Sequence, residues 1–177
     1  GEKISIIGLG TSSIQQSSEK EIEDIIVCAM EQGINFFDMA SAEAKPFEAY
    51  GRVVGKKREN VYFQIHFGAN YETGTYGWTT NLDTVKRSVQ WQLEALKTDY
   101  IDFGFIHCID EAADLRKAEK SGIIQYIQDL KRRGVVRHIG LSSHTPELVN
   151  RALDMGILDM LMFSVNPGYD YRHGAYG

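Results

Sequence analysis

What this sequence lacks narrows it quickly. It has two cysteines in 177 residues, Cys28 and Cys108, which form neither a CxxC pair nor a disulfide framework. Cys28 falls in an amphipathic helical stretch and reads as a small core residue, while Cys108 follows His107 at a strand end. No apolar run approaches the roughly 20 residues of a membrane span. No charged-then-apolar signal segment opens the chain, so the expectation is a cytoplasmic protein with no membrane partner. Excess positive charge is also missing. The 19 Lys and Arg residues face 24 Asp and Glu residues, a net charge of −5 that argues against a polyanion-binding surface and against nucleic acid. The one basic cluster, Lys131-Arg132-Arg133, closes a helix, where cations complement the helix dipole. There is no Walker motif, heptad array or low-complexity segment.

What is present is an alternation of strands and helices. Lys3 to Leu9 reads as a strand closing in Gly8-Leu9-Gly10-Thr11. Ser18 and Glu21 then form a capping box, followed by an inward stripe of Ile22, Ile25, Ile26, Ala29 and Met30 that Gly33 stops. A weaker helix spans about Pro46 to Lys57. A third, capped by Asn81, lines up Leu82, Val85, Val89, Leu93 and Leu96. A fourth runs from about Ser121 to Gly134, and a fifth from Thr145-Pro146-Glu147 to about Gly156 with Leu148, Ala152 and Leu153 inward. A last strand spans Met160 to Val165, and a polar tail, 166 to 177, follows. Strands alternating with such helices predict βαβ units around a parallel sheet. Six strands fit either an open doubly wound sheet or three quarters of an eight-stranded barrel. Gly8-Leu9-Gly10-Thr11-Ser12-Ser13 lacks the third glycine of a dinucleotide fingerprint, and its helix starts late, which argues against the open nucleotide-binding sheet.

Four apolar runs end on chemistry-bearing side chains: Ile34 to Asp38, Val61 to His66, Tyr100 to His107 and Ile139 to His144. In a parallel sheet the strand ends share one edge, where ligands bind, so one mouth is expected to carry Asp38, His66, His107 and His144. The long loop after His66, residues 67 to 80, brings Tyr71, Tyr76 and Trp78 beside that mouth, as rim packing or as a substrate-facing lid.

Taken together, Gly8-Leu9-Gly10-Thr11, Gly33 to Asp38, Thr98-Asp99-Tyr100-Ile101-Asp102 through His107, and Arg137 to Ser142 resemble the aldo-keto reductase family over nearly the whole chain. The resemblance implies a (β/α)8 TIM barrel, of which residues 1–177 would form the first six βα units as a single partial domain. It also implies hydride transfer between NADP(H) and the carbonyl of a small-molecule substrate. In that family a tyrosine protonates the forming alkoxide, a lysine and an aspartate tune it, and a histidine orients the carbonyl. Asp38 matches the aspartate and His107 the histidine. The tyrosine position, five residues after the aspartate, is Glu43, and the lysine position is His66. The catalytic set implied is therefore Asp38, Glu43, His66 and His107, with Tyr50, Tyr71 or Tyr76 as substitutes for the missing acid.

Gly10, Thr11, Ser142, Ser143 and Asn166 are the implied cofactor contacts. The position of the family glutamine that holds the nicotinamide amide is Met162, which cannot make two such hydrogen bonds. The Gln64-Ile65-His66 setting and the Leu141 to Glu147 stretch resemble a bacterial subgroup that often carries a C-terminal ferredoxin-like extension with a [4Fe–4S] cluster. Cys28 and Cys108 do not form a cluster motif. Other readings use the same mouth. The imidazoles and carboxylates could hold zinc, iron or manganese in a metal-assisted or acid/base lyase or isomerase. The barrel could equally be a non-catalytic binding or electron-transfer module.

Overall fold

A computed structural model describes residues 2–165. Asn166 and His173 lie outside the described residues. The sheet follows the path β1 (Leu9–Gly10), β2 (Phe36–Asp38), β3 (Tyr62–Phe67), β6 (Ile101–Ile106), β7 (Val136–Ser142) and β8 (Met160–Met162), every neighbour parallel. A short hairpin, β4 (Ala69–Asn70) and β5 (Gly77–Trp78), branches off the end of β3. The helices are α1 (Glu19–Glu31), α2 (Lys45–Val54), α3 (Leu82–Ala95), α4 (Ala112–Lys120), α5 (Ile123–Arg132) and α6 (Pro146–Leu153). Among the described residues β1 and β8 are not paired with each other, so the sheet is an open part of a barrel.

The helices follow their sequence signals. Ser18 Oγ accepts from Glu21 N at 3.3 Å while Ser18 N donates to Glu21 Oε2 at 2.8 Å, which completes the expected capping box. Asn81 Oδ1 caps α3 by accepting from Thr84 N at 3.0 Å. Such caps are each worth about 1 kcal/mol. The core side of α1 is Ile22, Ile26 and Ala29, as its stripe requires. β3 and β6 are buried almost throughout, as strands covered on both faces should be. Phe37, Tyr50 and Phe63 pack with ring centroids 5.1 to 6.3 Å apart in the core behind β2.

The structure corrects several expectations. The strand expected over Lys3 to Leu9 is only Leu9–Gly10, and Ile6 and Ile7 are exposed. The preceding backbone is tied instead to the Asn35 side chain, whose Oδ1 accepts from Ser5 N at 2.7 Å and whose Nδ2 donates to Lys3 O at 3.0 Å. Helix α4 lies where the sequence shows no apolar stripe, because it buries only Leu115 and Ala118. Thr145 precedes α6, but its hydroxyl donates to Asp110 O at 3.0 Å and does not cap the helix. Leu153 and Cys28, both expected inward, are exposed. The last strand stops at Met162, short of the expected Val165.

Candidate active site at the strand ends

Asp38 ends β2, and its Cα partner on β3 is Gln64. Side chains two apart on a strand share a face, so Gln64 and His66 both lean toward Asp38. His66 Nε2 lies 2.7 Å from Asp38 Oδ1, and Gln64 Nε2 donates to the same oxygen at 3.1 Å. With a carboxylate oxygen accepting, Nε2 carries the hydrogen, and in the neutral ring Nδ1 is then an acceptor. His66 is buried, and its Nδ1 has no hydrogen-bond partner among the described residues. An enclosed acceptor without a donor costs about 1–3 kcal/mol, which is explained if a bound molecule supplies the donor.

His107 follows β6 directly, its ring centroid 4.6 Å from that of His66 at an interplanar angle of 70°. Burial first, and the His66 ring second, push its pKa down to about 3, so the imidazole is neutral at ordinary pH. The next residue, Cys108, has φ of 47°, a left-handed turn that a non-glycine adopts only when its surroundings impose it. Those surroundings are explicit. Cys108 N donates to Ser142 Oγ at 3.0 Å, Ile109 N donates to Ser142 O at 3.1 Å, and Trp78 Nε1 donates to His107 O at 3.2 Å. The turn therefore fixes the direction of His107. The Cys108 sulfur is 3.6 Å from His107 Nε2, and burial raises its thiol pKa.

The loop after β3 divides its aromatics between structure and mouth. Tyr71 is buried, its hydroxyl donates to Ser41 O at 3.0 Å, and its ring packs 4.8 Å from Phe47 and 5.4 Å from Trp91. Tyr50 is fully buried in the core, and burial raises its phenol pKa far above the ordinary value. Tyr76 instead reaches the strand ends, with Oη 3.1 Å from His107 Nε2. His66, His107, Tyr71 and Tyr76, with Ala40 and Ala69, line a cavity of about 210 Å³. A larger one of about 850 Å³ lies at the opposite sheet edge around Arg58, Tyr100 and Tyr126, away from these side chains.

The remaining predicted residues are placed as follows. The Glu43 carboxylate accepts from Gln16 Nε2 at 3.2 Å and does not line the cavity. Gly10 pairs with Asp38 in register, and a Cβ built there would meet nothing within 4 Å. Thr11 is buried and its hydroxyl donates to Asp38 O at 3.1 Å. Ser142 Oγ stands 3.5 Å from His107 Nδ1, and Ser143 Oγ donates to Ile109 O at 2.6 Å. His144 turns to Asp110, with Nδ1 at 2.9 Å from Oδ2 and its backbone N donating to Oδ1 at 2.6 Å. Asp110 went unrecognised in the sequence because it follows the strand by four residues, in a segment with no periodic pattern. Among the described residues no three or more His, Cys, Asp or Glu side chains form a group that could hold a metal ion.

Comparison with known proteins agrees with this architecture. The model of the aldo/keto reductase family matches residues 6–167. The uncharacterized oxidoreductase YqkF of Bacillus subtilis is 30% identical over 152 residues, covering 82% of this chain and 47% of that protein. A solved Pseudomonas aeruginosa chain described as an aldo-keto reductase superimposes with a TM-score of 0.81 at 28% identity, over 97% of this chain and 66% of that one. An aldo-keto reductase from Klebsiella pneumoniae, solved in complex with NADPH, shares the fold at 18% identity and a TM-score of 0.66, over 85% of this chain and 50% of that one. The chain spans about half the length of the curated relatives it matches, 47% of YqkF and 53% of an L-galactose dehydrogenase from Arabidopsis thaliana. Family match and relatives agree, and the chain belongs to the aldo/keto reductase family.

Proposed function

We propose that this chain is part of an NADP(H)-linked oxidoreductase acting on small carbonyl compounds or their alcohols, with Asp38, His66 and His107 as the polar floor of its site. The observation that carries the reading is the part-buried Asp38–His66 pair at 2.7 Å, with His66 and His107 lining one cavity. Asp38 and His107 stand at positions that the resemblance gives to such chemistry, and His66 stands where a lysine is expected.

His66 Nδ1 is an enclosed acceptor that lacks a donor among the described residues, and the space over Gly10 is open. Both suit the nicotinamide end. Gly10 and Ser142 would border it, and Asn166 joins them in the proposal from outside the described residues. Thr11 and Ser143 would contribute by holding the strand ends, since their hydroxyls donate to Asp38 O and Ile109 O. When bound, the nicotinamide supplies or accepts the hydride. This chain's residues do the rest. His66, pinned by Asp38, presents Nδ1 as an acceptor, and neutral His107 orients the carbonyl without adding a buried charge. The departure at position 43 belongs to this reading too, as does the resemblance to a subgroup that often carries a [4Fe–4S] cluster in a C-terminal extension.

The test is cofactor binding by the full-length protein. NADPH fluorescence should rise on addition of protein, and the thermal midpoint should rise with cofactor. His66→Ala should weaken binding at least tenfold through loss of the acceptor. Unchanged fluorescence and midpoint at millimolar NADPH would remove the reductase reading.

A further inference from the structure

Among the described residues four enclosed side-chain atoms lack a hydrogen-bond partner: Tyr50 Oη, Gln64 Oε1, His66 Nδ1 and Gln92 Oε1. Two of them belong to one face of β3, and to side chains that meet on a single carboxylate oxygen. Gln64 Nε2 donates to Asp38 Oδ1 at 3.1 Å, and His66 Nε2 reaches the same oxygen at 2.7 Å. Gln64 is fully buried. An apolar side chain of similar size would fill that place without leaving a carbonyl unpaired, so packing does not explain the amide. What the amide supplies is a hydrogen bond to Asp38.

The backbone of Asp38 is already fixed. Thr11 Oγ1 donates to its carbonyl oxygen at 3.1 Å, and Met39 N donates to Gln64 O at 2.9 Å, which ties the end of β2 to β3. Only the turn of the carboxylate is left. One donor alone could be met by either carboxylate oxygen. Two donors from positions 64 and 66, which share a face of one strand, converge on Oδ1 and choose it. Gln64 Nε2 and His66 Nε2 stand 3.3 Å apart, two donors that are compatible because one carboxylate oxygen accepts from both. The amide is itself held in one sense. Turned over, it would set Oε1 against Oδ1, acceptor against acceptor, and its nitrogen also lies 3.6 Å from Met162 Sδ of β8.

Resting on the reductase reading above, we propose that Gln64 is a positioning residue of this site: its amide locks Asp38 Oδ1 onto His66 and so keeps that ring with its hydrogen on Nε2 and an acceptor at Nδ1. The tautomer of a histidine is set by the hydrogen bond its ring nitrogens make. Without the amide the carboxylate turns on a single contact, and the ring carries its hydrogen on either nitrogen. The rings of His66 and His107 are 4.6 Å apart, so a change in the first alters what the second faces. Gln64 touches neither cofactor nor substrate in this scheme. It acts through Asp38 and His66.

The experiment compares Gln64→Met and Gln64→Glu with wild type in the full-length protein. It reads the His66 ring by nitrogen NMR shifts at neutral pH, and the reduction of a panel of small aldehydes by NADPH across pH. Wild type should show one His66 tautomer, with hydrogen on Nε2; hydrogen on Nδ1 would overturn the assignment. Gln64→Met keeps the length of the side chain without the donor. It should show mixed tautomers and a kcat about 10–100-fold lower, what one hydrogen bond to a charged group is worth. Gln64→Glu should approach the wild-type kcat at acid pH, where the introduced carboxyl is protonated and donates to Asp38. Its kcat should fall as that carboxyl ionises, at a pH above the ordinary ~4.3 because Asp38 and burial both oppose the charge. A merely structural glutamine would lower the thermal midpoint and leave tautomer and pH profile unchanged in both variants, which would overturn the assignment. Should Gln64→Met fail to fold, Gln64→Glu decides alone: a kcat that follows the wild-type pH profile overturns it. Wild-type protein that neither binds NADPH nor reduces any aldehyde would remove the reductase reading, while the tautomer comparison would still decide whether Gln64 positions His66.

Discussion

At the scale of single residues, His107 makes the clearest physical statement. Burial and the neighbouring His66 ring outweigh the attraction of Asp110 and hold its pKa near 3, against an ordinary value of 6.5. Below pH 6.5 the unfolded chain takes up a proton that the folded chain refuses. The contribution of His107 to stability is therefore complete above pH 6.5 and falls as the pH drops toward 3, by up to about 1.4 kcal/mol per pH unit. Urea unfolding at pH 7.5, 6.5 and 5.5 should show a declining midpoint. His107→Asn, which cannot titrate, should flatten the decline by about 1 kcal/mol between pH 6.5 and 5.5. An equally steep decline in the variant would assign the pH dependence to other groups.

At the scale of elements, a buried carboxylate fastens the edge of the sheet opposite the mouth. Asp102 on β6 is 1% exposed; its Oδ2 accepts from Phe63 N of β3 at 2.9 Å and from Arg58 Nη2 at 2.7 Å, and its Oδ1 from Arg137 Nη1 of β7 at 3.0 Å. Three neighbouring strands meet at this one side chain. Removing it leaves Arg58, whose side chain is 11% exposed, without its counter-charge. Breaking a buried pair from one side costs about 3–5 kcal/mol. Asp102→Ala should destabilise the full-length protein by that amount in a denaturant titration. A loss below about 1 kcal/mol would mean that water or another acid satisfies Arg58.

At the scale of the whole molecule, cooperativity should fall off from the middle of the sheet to its ends. β3 and β6 are paired on both sides and buried, whereas β1 and β8 contribute two and three residues and, among the described residues, are paired on one side. Hydrogen exchange on this 177-residue chain should therefore show the slowest amides in β3, β6 and β7, with β1 and β8 exchanging orders of magnitude faster. Uniform protection across all six strands would show that the ends are stabilised as firmly as the centre.

What the sequence determined by itself was whatever one-dimensional chemistry encodes. Period-3.6 stripes and caps marked α1 and α3, and the buried runs ending on Asp38, His66 and His107 put those side chains at one sheet edge, because parallel strands share an edge. Helix α4 stayed hidden because Leu115 and Ala118 are too few to make a stripe. Leu9–Gly10 was overextended because apolar residues need not be covered, as Ile6 and Ile7 show. The tertiary structure decided which side chains line the cavity at the strand ends. Glu43 holds the expected position in sequence but leans to Gln16, while His144 is drawn to Asp110. Tyr76 reaches His107 only because residues 74–76 register against residues 42–44. That register is a long-range backbone pairing, set by how two loops fit over a finished sheet, and no local pattern of residues specifies it.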